Sequence, residues 1–189
     1  YLPESTPSIR DAIDCSYTTF DWNRFTENPY SFKELVLGMQ QAKFDIKDQM
    51  KNHGCKYNER DLQWWLDQPP ELRVNLKPSA KDFTPAQFME VLIDYLRSAD
   101  KVERWWSRSN SFDPVILERL AQYANKTSLM GNYLKYWAVR DTRTFIDAKF
   151  DFPKINGFVP VSDTAKWEYN FKAHDSKHDV AADILRLQA

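Results

Sequence analysis

The sequence predicts a mixed α/β layered fold, and three features carry that expectation. Residues 12–20 alternate two sets of side chains, with Ile13, Cys15 and Tyr17 on one face, which is the period of a strand. Thr84, Pro85 and Gln87 form a capping box with proline at the first helical position. Phe88, Val91, Leu92, Tyr95 and Leu96 then recur at helical spacing. Strands early, followed by helices and a further short strand, suit a sheet flanked by helices. At 189 residues the chain can bury one substantial core, and a single domain over 1–189 is expected.

Taken in order, residues 1–7 are rich in turn formers (Pro3, Ser5, Thr6, Pro7) and read as a loop leaving an earlier element. After the strand at 12–20, residues 21–29 read as a hairpin turn, and 30–37 and 42–46 as further strands. His53 lies between Asn52 and Gly54 in an expected loop. Asn58 with Asp61 resembles a capping pair ahead of Leu62, Trp64, Trp65 and Leu66, so a helix is expected there. Pro69 and Pro70 end it and can start a second short helix. The helix that starts at Thr84 follows. Residues 102–108 form a short aromatic segment, read as a buried strand, ahead of Ser109-Asn110-Ser111. Residues 113–123 look helical, with Asp113 in the first turn and Ile116, Leu117 and Leu120 inward. Residues 142–150 suit another helix, and 175–187 a last one with Val180, Ala181, Ile184 and Leu185 as its apolar stripe.

Composition narrows the function classes. Hydrophobic residues at 42% and charged residues at 28% exclude general disorder. The formal charge of −1, from 26 basic and 27 acidic residues, supplies no global positive field. Any nucleic-acid contact must therefore be local, which argues against a protein that coats long nucleic acid. Seven Trp and twelve Phe serve packing more often than base stacking, so Trp64-Trp65 and Trp105-Trp106 read as core and wall residues. No apolar run reaches membrane-spanning length and no signal peptide opens the chain, so a cytoplasmic protein is expected. Cys15 and Cys55 have no paired ligand spacing and are expected as free thiols.

Two segments carry candidate chemistry. Ser109-Asn110-Ser111-Phe112-Asp113 stands where a strand hands over to a helix, so Asp113 faces the carboxyl-end crevice where open α/β sheets hold ligands. The same residue would also serve as a helix cap. The second segment is Ala173-His174-Asp175-Ser176-Lys177-His178-Asp179, leading into the final helix. His174 and Asp179 are five positions apart, so the imidazole can stand above a site into which the carboxylate points. That pairing suits phosphodiester hydrolysis: a carboxylate holds a hard cation, and a neutral imidazole takes a proton from water. His178, next to Asp179, should point about a quarter turn away. In Arg140-Asp141-Thr142-Arg143-Thr144 the arginines either grip phosphates or pair with Asp141 to fix a helix start.

Asn-Ser-Phe-Asp before a helix, together with His-x4-Asp near the chain end, resembles the DnaQ-like, DEDDh class of metal-dependent exonucleases, in its T-even phage exonuclease A branch. Leu62-Gln63-Trp64-Trp65-Leu66-Asp67-Gln68 and Tyr136-Trp137 with the Arg140 to Thr144 run carry the likeness further, over nearly the whole chain from about Ile9. The resemblance implies a ribonuclease-H-like fold, two magnesium or manganese ions held among four carboxylates, and release of nucleoside monophosphates from a single-stranded 3′ end. DNA is the expected substrate and RNA the alternative. Carried over by residue, Asp113 and Asp179 become metal ligands and His174 the general base. Asn110, Phe112 and Leu2 line the terminal nucleotide. The family's Asp-x-Glu motif, on its opening strand, is not found in this sequence, and register places it immediately upstream of Tyr1. If that motif is lost in the intact protein, a non-catalytic module that binds a nucleic-acid end or a protein is the rival expectation.

Overall fold

The computed structural model describes residues 12–56, 58–99, 101–150 and 171–189. Strand β1 (Asp14–Tyr17) pairs antiparallel with β2 (Gln40–Lys43), Asp14 opposite Lys43 and Tyr17 opposite Gln40. Between them the chain is helical. A single turn, α1 (Arg24–Glu27), occupies the expected hairpin turn, and α2 (Phe32–Gly38) replaces the strand expected at 30–37. The physical reason is local: the Ser31 side chain accepts from the Glu34 N–H, which caps a helix, and Phe32, Leu35 and Val36 then bury at helical spacing.

Helix α3 (Ile46–His53) also lies where no helix was expected. Asp45 caps its start by accepting from Asp48 N–H. Gly54 ends it in the left-handed region at φ 68°, where a side chain would be strained. His53 is thus the last helical residue rather than a loop residue, and its ring stacks on Tyr123 at 4.4 Å. Helices α4 (Glu59–Leu66) and α5 (Pro70–Arg73) follow, the first capped by Asn58 through Arg60 N–H rather than through Asp61. Helix α6 (Pro85–Ser98) carries the full capping box of Thr84 and Gln87.

Strand β3 (Trp105–Ser107) leads to α7 (Asp113–Tyr123), then to the unanticipated α8 (Thr127–Tyr133). Strand β4 (Val139–Asp141) pairs parallel with β3, Ser107 opposite Asp141, and runs straight into α9 (Thr142–Phe150). Helix α10 (Ser176–Gln188), capped by Asp175, closes the chain. Among the described residues the strands form two separate two-stranded sheets, and no helix is long and apolar enough to cross a membrane. The broad expectation of a mixed α/β chain holds.

Two apolar clusters hold these elements. Phe88, Met89, Leu92 and Ile93 of α6 pack with Phe44, Leu120, Ala121 and Met130, while Phe32, Leu35 and Val36 of α2 pack with Ala181, Ala182 and Ile184 of α10. Gln49 is buried and closes the start of the β1 region, its Oε1 accepting from Ala12 N–H and its Nε2 donating to the Ala12 carbonyl. Gln49→Ala should therefore cost about 2–4 kcal/mol in urea unfolding, because two buried backbone groups lose their partners together. An unchanged midpoint would show that water replaces the side chain.

Candidate active site

The parallel β3–β4 pair ends its strands side by side, so the residues that follow them share one edge. Hydrogen bonds fix that edge. Thr142 Oγ1 donates to the Ser107 carbonyl, the Asn110 N–H donates to Asp141 Oδ2 at 3.1 Å, and Asp141 Oδ1 accepts from Thr144 N–H at 2.9 Å. Asp141 is thus a cap and brace, not an arginine partner. Arg140 is equally structural, donating to the carbonyls of Trp137 and Val139.

Asp113 opens α7 at this edge. Among the described residues its carboxyl makes no hydrogen bond or ion pair, which a helix-capping role would require. Burial pushes that carboxyl above its ordinary range, the negative charge of Asp183 adds to the effect, and Arg143 opposes it. Behind it, β1 brings Cys15 close: burial, then the charges of Asp14 and Asp113, push this thiol up to about 12, so it is inert as a nucleophile. Asp14 is occupied in joining β1 to α10, accepting from Ser176 Oγ at 2.8 Å and from Gln41 Nε2. Phe112 is 44% exposed beside Asp113, and the exposed Asn110 has its Oδ1 accepting from Ser107 Oγ. Leu2 lies outside the described residues.

Helix α10 packs against both β1 and α9 and carries the second group of candidates. Burial raises the Asp179 carboxyl; His174 lowers it by charge and by a backbone N–H, while Asp183 and Asp175 raise it again. His174 precedes the helix in the left-handed region at φ 66°, is exposed, and meets the Trp64 ring edge-on at 4.9 Å. His178 is buried instead. Its Nδ1 accepts from Lys172 N–H at 2.8 Å, its ring lies edge-on to Phe32, and burial holds its pKa below the usual imidazole value.

Asp183 was not among the residues singled out from the sequence. It lies one turn beyond Asp179, accepts from Arg108 and from Arg186, and its charge acts on both Asp113 and Asp179. A signal was available: His178 and Asp183 repeat the His-x4-Asp spacing of His174 and Asp179. The i, i+4 relation of the two aspartates also puts them on one helix face.

Asp113, Asp179 and Asp183 present hard oxygen donors of the kind that suit magnesium or manganese, and the Asp113 carboxyl has no partner among the described residues. Among the described residues, however, no three His, Cys, Asp or Glu side chains converge closely enough to hold a metal ion by themselves. The donor chemistry fits and the donor set is partial.

With that geometry in place, the comparisons define the class: the chain is a nuclease, acting 3′ to 5′. More particularly, the chain belongs to the Rv2179c-like family, described as a 3′-5′ exoribonuclease domain, whose model matches residues 34–183. It is also 31% identical over 199 residues to an exodeoxyribonuclease of Enterobacteria phage T4, covering 93% of this chain and 80% of that protein. These findings bear out the resemblance to DnaQ-like exonucleases of the phage type. No solved structure matches.

Proposed function

We propose that this chain is a metal-dependent exonuclease that removes nucleoside monophosphates from the 3′ end of single-stranded DNA, in the cytoplasm, through one domain of ribonuclease-H-like fold. The observation that carries the reading is Asp113: a carboxyl at the start of α7 with no partner among the described residues, its pKa raised by partial burial and by the charge of Asp183. A carboxyl with a raised pKa and no internal partner is the mark of a functional rather than a structural group.

In this reading Asp113 and Asp179 would hold the metal, two ions in all, with the Asp-x-Glu pair that the family resemblance implies supplying the other donors. When bound, the ions polarise the attacking water and neutralise charge on the phosphate. His174 takes the proton from that water; its exposure on the approach to α10 lets it move with substrate. Asn110, Phe112 and Leu2 receive the terminal nucleotide, the exposed Phe112 ring offering an apolar face to the base.

One observation favours a second reading of the α10 residues. The carboxylate whose charge reaches Asp113 is Asp183, so His178 and Asp183 form a competing frame with the same spacing. In that frame Asp183 is the ligand opposite Asp113 and His178 is the base.

DNA is preferred because the T4 relative, named for DNA, aligns over most of the chain; the family description names RNA, which keeps an exoribonuclease as the alternative. The test uses the full-length protein on single-stranded DNA and RNA oligonucleotides labelled at the 5′ end. Stepwise shortening is expected with magnesium or manganese, faster on DNA, abolished by EDTA and restored by added metal. Shortening that survives EDTA would refute the metal requirement. Binding of the 3′ end without shortening would support the non-catalytic module instead.

A further inference from the structure

We infer that Arg143 contacts the substrate, its guanidinium binding a non-bridging oxygen of the 3′-terminal phosphodiester; the inference rests on the exonuclease reading above. Arg143 is the second residue of α9, which leaves β4 with no intervening loop. Its position is fixed by the bonds that tie Thr142 to Ser107 and Asp141 to Thr144 and Asn110. Those bonds root it at the same strand edge as Asp113, and its charge acts directly on the Asp113 carboxyl.

What separates Arg143 from its neighbours is that it is uncommitted. Arg108 and Arg186 both donate to Asp183, and Arg140 donates to two backbone carbonyls. Among the described residues the Arg143 side chain makes no hydrogen bond or ion pair, and its Nε is buried without an acceptor. A buried guanidinium N–H left unpaired costs free energy that an incoming acceptor recovers. The acceptor that fits is a phosphate. Its paired oxygens match the guanidinium fork, whereas the carboxylates around Arg143 can hold substrate only through cations. With a chain charge of −1, a local cation at the reacting linkage is also the direct protein contact that can offset the phosphate's charge there.

The test is a double-mutant cycle between protein and substrate, read as binding of a fluorescent single-stranded oligonucleotide to the full-length protein with calcium replacing the catalytic metal. One strand is all phosphodiester; the other carries an uncharged methylphosphonate at its 3′-terminal linkage. Arg143→Ala should weaken binding of the normal strand roughly ten- to hundredfold, the scale of a hydrogen bond to a charged group. The penalty for the methylphosphonate should then shrink about fivefold or more in the variant, since the partner of the missing charge has gone. Arg143→Lys, which keeps a charge but not the fork, should fall between. Equal methylphosphonate penalties in the native protein and both variants would overturn the inference, as would a variant that melts lower yet binds both strands as the native protein does. The parent reading fails separately: native protein that never shortens a 3′ end would refute the exonuclease, whatever Arg143 does.

Discussion

Asp113→Asn is expected to lower turnover by about 10³-fold or more, the equivalent of several kcal/mol of lost charge stabilisation, while making the metal-free protein more stable at neutral pH. Both halves follow from one geometry. Burial, then Asp183, raises the Asp113 carboxyl above its ordinary value, so the folded chain favours its protonated form. That contribution to stability is fully present below the carboxyl's unfolded pKa and is lost as pH rises through the higher folded one. At pH 7 the ionised group therefore strains a metal-free fold, and a neutral amide of the same shape relieves it. Denaturant midpoints without divalent ions should be higher for the variant at pH 7, and the difference should close on acidification towards about pH 4. Added magnesium should stabilise the native protein more than the variant. Substantial residual turnover at saturating magnesium, or a metal-free variant that unfolds more easily at pH 7, would remove Asp113 from the metal site.

His174→Ala should slow single-turnover hydrolysis of a short single-stranded oligonucleotide by about 10²–10⁴-fold, the usual scale of a positioned acid–base group, with metal binding retained. If Asp183 rather than Asp179 is the ligand opposite Asp113, the same loss moves to His178→Ala. The two outcomes are separable from mere unfolding. His178 packs against Phe32 and holds the Lys172 N–H, so its removal also lowers the melting temperature, whereas exposed His174 should change stability little. A pH profile adds an independent readout. Burial disfavours the imidazolium of His178, so a reaction using it keeps a neutral base to lower pH, and its acid limb falls below the ordinary imidazole range. If neither variant loses rate beyond its loss of folded protein, the histidine-assisted chemistry proposed here is wrong even though the family is right.

Local signals in the sequence were sufficient where one stretch of chain contains the whole cause. The box of Thr84 and Gln87, the start of α7 at Asp113 and the span of α9 all rest on caps, proline placement and apolar period within a few residues. The same principle explains the error at 30–37: a single hydrogen bond from Glu34 N–H to Ser31, with burial against α10, made a helix of a segment whose composition also suits a strand. The short strand β4 went unseen because three residues have no period of their own; only its parallel pairing with β3 makes it a strand.

By itself the sequence determined the family, since motif residues at set intervals survive as a linear pattern, and it determined that Asp113, His174 and Asp179 are candidates for chemistry. Tertiary structure decided which groups meet. It put Asp183 into the electrostatic environment of Asp113, committed Arg108, Arg186 and Arg140 to internal partners, and left Arg143 without one. Those facts depend on how α7, α9 and α10 approach one another. Such approach is set by burial of apolar faces far from the charged groups themselves, so the His-x4-Asp spacing could name Asp183 as a candidate but not which carboxylate meets Asp113.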